Sequence, residues 1–142
     1  MSLFSFSGER PSNLGITGGT LSPCPSTPNC VCSDSTDSDH AIPPFRLTTP
    51  IKSEAWDTIV ATVANLPRTT IVTHTQDYLH AECHSALLGF VDDLELHLRP
   101  DRGEIGVRSA SRLGHSDWGV NRKRVEALRS SLITQGIVQK ES

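Results

Sequence analysis

Long hydrophobic runs are missing from this chain of 142 residues. No stretch approaches the roughly 18 consecutive apolar residues that a bilayer-spanning helix needs. The N-terminus lacks a basic cluster followed by an apolar segment, so no secretory leader is expected and the chain reads as cytoplasmic. Neither sign of charge dominates: thirteen Lys+Arg against sixteen Asp+Glu leave a net charge of −3. That excludes a global field for holding nucleic acid or an anionic membrane, and leaves only a local basic patch open. Cysteine is scarce, its four copies too few for a disulfide scaffold and too unevenly spread for paired zinc knuckles. Reaction motifs are absent as well. There is no G-x-S-x-G elbow, no Gly-rich phosphate loop, no H-E-x-x-H and no placed Ser/His/Asp set, so nothing names a reaction and no cofactor is implied.

What is present fits one domain, since 36% apolar residues support a single modest core. Residues 1–52 are rich in Gly, Pro, Ser, Thr and Asp, and hold no sustained apolar period; they are expected as irregular chain packed on the same domain. Within them, Leu21-Ser-Pro-Cys-Pro-Ser-Thr-Pro-Asn-Cys-Val-Cys-Ser33 carries three prolines that pre-shape a loop, and the acidic residues 33–40 read as a mobile tip. An α+β core is expected over residues 53–136, with a tail at 137–142. Ser53 is a plausible N-cap for a helix whose Trp56, Ile59, Val60 and Val63 share one face, and Leu66-Pro67 stops it. Residues 69–75 and 78–85 read as a hairpin with Val72 and His74 facing Ala81 and Leu79.

A second hairpin closes at Pro100-Asp101-Arg102-Gly103. Its alternation sets Leu98 opposite Ile105, Leu96 opposite Val107 and Glu95 opposite Arg108. After Leu113-Gly114-His115, Ser116 or Asp117 would cap a last helix striped by Trp118, Val125, Leu128 and Leu132 and ended by Gly136. The expected fold is thus a four-stranded antiparallel meander with two helices on one face.

The same register gathers polar residues. Toward the open end of the second hairpin, Leu94 faces Ser109 and Asp92 faces Ser111 on the core side, and Asn121 falls within the apolar stripe of the last helix. Such groups are costly to bury unless they satisfy one another. They form either a network that docks the helix or a pocket at its N-terminus, where Arg108, Arg112 or Arg122 would favour an anion. The opposite sheet face collects Tyr78, His80, Glu82, His84, Asp93, Glu95, His97 and Arg108. It reads as a solvated face with cross-strand ion pairs, or, less simply, as a metal site using His80, Glu82, His84 and His97. Cys24 and Cys30 could close a small disulfide, although a reducing cytosol would usually keep them open. Zinc held by Cys24, Cys30, Cys32 and a distant Cys83 or His is a weaker reading, and Cys83 is most simply a small core residue.

The Pro-Cys-Pro…Pro-Asn-Cys-x-Cys loop, Gly89-Phe-Val-Asp-Asp93, and Val107-Arg-Ser-Ala-Ser-Arg-Leu-Gly-His-Ser-Asp-Trp-Gly-Val-Asn-Arg-Lys-Arg124 together resemble the family called domain of unknown function 1499, over residues 21–132. The resemblance implies no activity. It implies relatives in bacteria and photosynthetic lineages, some with leaders or membrane segments. Its blocks coincide with Asp92, Asp93, Arg108, Ser109, Ser111, Arg112, Asp117, Asn121, Arg122 and Arg124. The first expectation is a binding or accessory domain holding an anionic small molecule or a protein partner near the start of the last helix. The rivals are an enzyme, of hydrolytic type, using Asp92 or Asp93, and an assembly protein whose Pro/Cys loop is the contact surface.

Overall fold

A computed structural model of the chain describes residues 8–86, 89–114 and 119–141. Along the chain it places β1 (Ile16–Thr17), β2 (Thr20–Leu21), β3 (Cys30–Cys32), β4 (Phe45–Arg46), α1 (Lys52–Ala64), β5 (Thr69–His74), β6 (Tyr78–His84), β7 (Val91–Arg99), β8 (Glu104–Ser111) and α2 (Val120–Thr134).

Strands β5 to β8 form the expected antiparallel meander, but they are only part of the sheet. β3 and β4 both pair antiparallel with the outer side of β8, giving six strands in the order β3-β8-β7-β6-β5 with β4 also on β8. β1 and β2 make a separate two-stranded ribbon. The expectation of a four-stranded sheet behind an irregular segment is corrected accordingly. At three and two residues, β3 and β4 are too short for an alternation to show, and β3 is buried throughout.

In the second hairpin Leu98 opposes Ile105, Leu96 opposes Val107, Glu95 opposes Arg108, Leu94 opposes Ser109 and Asp92 opposes Ser111. Every one of these pairs follows from the alternation. The first hairpin departs from it: His74 does oppose Leu79, but Ile71 rather than Val72 opposes Ala81. A bulge between Ile71 and Thr73 makes Val72 the extra residue and turns it outward, 37% exposed.

Helix α1 buries Trp56, Ile59 and Val63, and the Trp56 indole N–H donates to the Thr75 carbonyl at 3.0 Å. It starts one residue before Ser53, which lies inside the first turn and does not cap it. The entering chain is turned earlier, where the Ile51 N–H donates to Thr49 Oγ1 at 3.1 Å. The cap expected at Ser116 or Asp117, and Trp118, lie outside the described residues. At the other end of α2, Gly136 has φ of +77°, and the Ile137 and Gly136 N–H groups return to the carbonyls of Leu132 and Ile133, a Schellman closure. The chain then continues into the sheet region, where Val138 is buried, bridges Leu47, and is followed by a Gln139 N–H bonded to Arg46 O at 2.7 Å.

Side chains of both helices meet Leu94, Leu96, Leu98, Ile105 and Val107 in one core on one sheet face. The other face is not the solvated surface expected of it. Asp93, Glu95, Arg108 and His80 are at most 3% exposed. Residues 8–25 cover them: Gly15 N–H donates to Glu95, Arg108 donates to the carbonyls of Ser22 and Pro23, and Arg10 donates to Glu82. The acidic tip is pinned as well. Asp34 takes a two-point contact from Arg99, while His40 is buried against Asp37 and the Thr27 carbonyl.

Candidate functional site

Alternation along β7 and β8 sends neighbouring residues to opposite faces. The residues singled out by sequence therefore divide into two separate groups. Asp92, Ser109, Ser111 and Asn121 lie on the helix side. Asp93, Arg108 and Arg112 lie on the face under the N-terminal segment.

The helix-side group is a connected network. Ser109 Oγ donates to Asn121 Oδ1 at 2.6 Å, and Asn121 Nδ2 donates to Ser111 Oγ at 2.9 Å and to the Asn29 carbonyl at 3.0 Å. Arg124 donates to Ser109 and Asn121 and pairs with Asp92 at 2.8 Å. Among the described residues these buried polar groups satisfy one another and tie α2 to β8 and to the chain at Asn29. Arg124, three residues after Asn121, was accessible from helical spacing. Asn29 was not, because its contact spans 92 residues. Arg122 does not join the other arginines: it is exposed and reaches the carbonyls of Ala41 and Asp39. Among the described residues Arg108, Arg112 and Arg122 therefore do not come together around the helix start, since Arg108 and Arg112 project from the opposite sheet face. Asp117 lies outside the described residues.

On that opposite face Arg112 is the hub. Its Nε donates to Asp93 Oδ2 at 2.8 Å, and its Nη2 donates to Asp93 Oδ1 at 2.8 Å and to Glu82. His80 Nε2 is 2.7 Å from Asp93 Oδ1, and Arg10 adds a second cation on Glu82. Beside them Glu95 accepts from the Tyr78 hydroxyl and the Gly15 N–H, and its Oε1 sits 3.7 Å from Arg108 Nη1. Burial alone would raise the Asp93 carboxyl, but the hydrogen bonds from Arg112 and His80 and the Arg112 charge outweigh it and hold the group below its ordinary range. Glu82 is likewise lowered, burial being overcome by Arg112 and Arg10. The Asp93 hydrogen bonds push the Arg112 guanidinium further up, while burial and then Glu95 raise the Tyr78 hydroxyl.

One oxygen or nitrogen each from His80, Glu82 and Asp93 lie within 4.8 Å of one another, a spacing a metal could use. Arg112 is the cation paired with Glu82 and Asp93, and His80 bonds Asp93. His84 is exposed, and His97 accepts from Arg99 in a different cleft with Asp77, so the four-residue set of His80, Glu82, His84 and His97 does not converge.

Cys24 and Cys30 form a disulfide, their Cα atoms 5.7 Å apart. It removes two of the thiolates a zinc reading required. Cys32 and Cys83 are free, buried thiols, pushed up by burial, and Cys83 joins the core. Over the polar face opens a cleft of about 410 Å³. Its floor is Asp93, Arg108, Ala110 and Arg112, with Ser111 at its edge, and its walls are Pro11, Asn13, Pro23, Cys24 and Pro25.

A family model described as a protein of unknown function, DUF1499, matches residues 20–132. The chain belongs to that family. No curated protein and no solved structure matches it. Within DUF1499's matched span fall the disulfide, both polar networks except Arg10 and Gly15, and the whole floor of the cleft. Pro11 and Asn13 lie before that span, so one wall of the cleft belongs to chain outside the family model.

The lowered carboxyls set an acid limit. Asp93, Glu82 and Asp34 have folded pKa values below their unfolded ones. The unfolded chain therefore binds more protons in acid, and the stability these groups contribute is present above the unfolded values and lost as pH falls through the folded ones. His97, lowered by burial and then by Arg99, and His40, raised by the Thr27 carbonyl and then by Asp37, act in opposite directions nearer neutrality. Urea midpoints are expected to change little between about pH 7 and 5 and to fall below about pH 4. A midpoint unchanged at about pH 3 would contradict this account of the ion pairs.

Proposed function

We propose that this domain is a non-catalytic binding domain that holds a small anionic molecule in the cleft between its N-terminal segment and the polar sheet face. The observation that carries the reading is a preformed, proline-walled cleft of about 410 Å³ with Arg108 and Arg112 in its floor. Its volume falls in the range of small-molecule sites, and its few convergent polar groups sit among apolar ones, as in such sites generally. The place differs from the start of α2, where the described polar side chains are occupied with one another. A catalytic reading has less support. A general acid or base acts best with a pKa near the working pH, yet Asp93 is lowered and hydrogen-bonded through both oxygens, and Asp92 is paired with Arg124. An assembly role for the Pro/Cys loop also has less support: the exposed large hydrophobic residues among those described are Ile51, Val72, Phe90, Leu113 and Val120, all outside that loop. The disulfide favours an oxidising compartment over the cytoplasm expected from the N-terminus. No helix among the described residues is long and apolar enough to cross a membrane.

Native mass spectrometry of the protein after exposure to a small-molecule extract tests the reading. The expected result is a stoichiometric adduct that weakens in Asn13→Asp, where an exposed wall residue gains a negative charge with almost no change in shape. Ala110→Leu, which fills the floor, should abolish it in a chain that keeps its circular dichroism spectrum. A bare chain at saturating extract would overturn the proposal.

A further inference from the structure

We infer that the ligand class of this cleft is a monocarboxylate carried on an apolar body, an inference that rests on the binding reading above. The first ground is the state of the two arginines. Arg108 spends Nε and Nη2 on the carbonyls of Ser22 and Pro23, and Arg112 spends Nε and Nη2 on Asp93 and Glu82. Neither Nη1 has a hydrogen-bond acceptor among the described residues. Arg108 Nη1 comes no closer than 3.7 Å to Glu95 Oε1, and that oxygen, fully buried, has no hydrogen-bond donor of its own. Two guanidinium groups, Arg108 on β8 and Arg112 just past its end on the same side, thus each keep a donor that a further oxygen acid can use. A planar carboxylate suits the planar donor groups of arginine.

The second ground is charge. Arg10, Arg108 and Arg112 are already matched by Glu82, Asp93 and Glu95 in this network. A single added negative charge is tolerable beside two arginines, whereas a phosphate dianion would lie against the Asp93 carboxylate, which shares the floor. The third ground is the wall. Pro11, Pro23 and Pro25 with Ala110 offer apolar surface that an inorganic anion would leave uncovered and a hydrocarbon or aromatic body would bury.

Backbone amide NMR titrations with sodium benzoate, benzyl alcohol and phenyl phosphate read this directly at Cys24, Ala110 and Ser111. Benzoate is expected to shift these amides saturably and to bind at least about tenfold tighter than benzyl alcohol, the added charge–charge contact being of the size that gives such a ratio. Asn13→Asp should weaken benzoate at least about threefold more than it weakens benzyl alcohol, a readout that does not depend on altering the buried arginines. Tighter binding of phenyl phosphate than benzoate would overturn the carboxylate class while keeping an anion site. Equal binding of benzoate and benzyl alcohol would overturn the charge argument. If no probe moves these amides although native mass spectrometry finds an adduct, the ligand class is wrong; if there is no adduct either, the binding reading itself fails.

Discussion

Arg112→Ala is expected to lower stability by about 3–5 kcal/mol, the usual cost of removing one partner from a buried ion pair. Arg112 is 6% exposed in its side chain and neutralises Asp93 at 1% and Glu82 at 14%. Without it Asp93 keeps, among the described residues, only His80 as a side-chain hydrogen-bond donor, and an almost fully buried carboxylate remains poorly compensated. The pH dependence separates this cause from a simple packing loss. In the wild type Asp93 is held low, so protonating it costs stability; in the variant the lowering by Arg112 is gone while the raising by burial persists. The stability gap measured by urea unfolding should therefore narrow from about pH 7 toward pH 4, as the variant's Asp93 becomes able to take up a proton. Arg112→Lys should fall between the two, because an ammonium supplies charge but cannot make the paired contact to Asp93. A loss under about 1 kcal/mol would place Arg112 among ordinary surface ion pairs and remove it as the hub of this face.

How much of this is legible in the sequence depends on the reach of each signal. Leu94, Leu96 and Leu98 against Ile105, Val107 and Ser109 share a register that alternation reports without ambiguity, and the structure follows it pair by pair. The stripe of Val125, Leu128 and Leu132 likewise needed only helical period. The same alternation contained the separation of Asp92 from Asp93 and of Ser109 from Arg108, and a stricter use of it divides the candidate residues into two sites on opposite faces. The covering of the polar face was not legible. Gly15 reaches Glu95 across 80 residues and Ser22 reaches Arg108 across 86, through backbone groups that leave no trace in side-chain chemistry. A face rich in His, Glu, Asp and Arg therefore reads as solvated when its lid is made of Gly, Pro and Ser. The bulge at Val72 escaped for a related reason, since Val, Thr and Ile fit a pleated strand on either face.

Phe45→Ala tests the least legible part of the fold, and a loss of about 3–5 kcal/mol is expected, as for large aromatic deletions in packed cores. Phe45 stands in a two-residue strand within chain that shows no period, yet it is fully buried and pairs with Ile105. The Arg129 guanidinium lies 4.8 Å from its ring centroid and donates to the carbonyls of Pro43 and Pro44, so one contact joins α2, β4 and the prolines before it. Deleting the ring removes apolar burial and the cation–ring contact together, and leaves a cavity beside Leu47 and the returning Val138 that a rigid sheet edge cannot readily collapse. Phe45→Leu keeps much of the volume and should cost clearly less, with the difference reporting the ring contact and the change of shape. Thermal and urea unfolding of both variants would measure this. If residues 30–47 merely lay across a finished four-stranded core, both substitutions would cost less than about 1 kcal/mol and leave the cooperativity of unfolding unchanged. A large loss in one cooperative transition makes β3 and β4 members of the sheet that carries the cleft, because β8 holds Phe45's partner Ile105 on the same strand as Arg108 and Ala110.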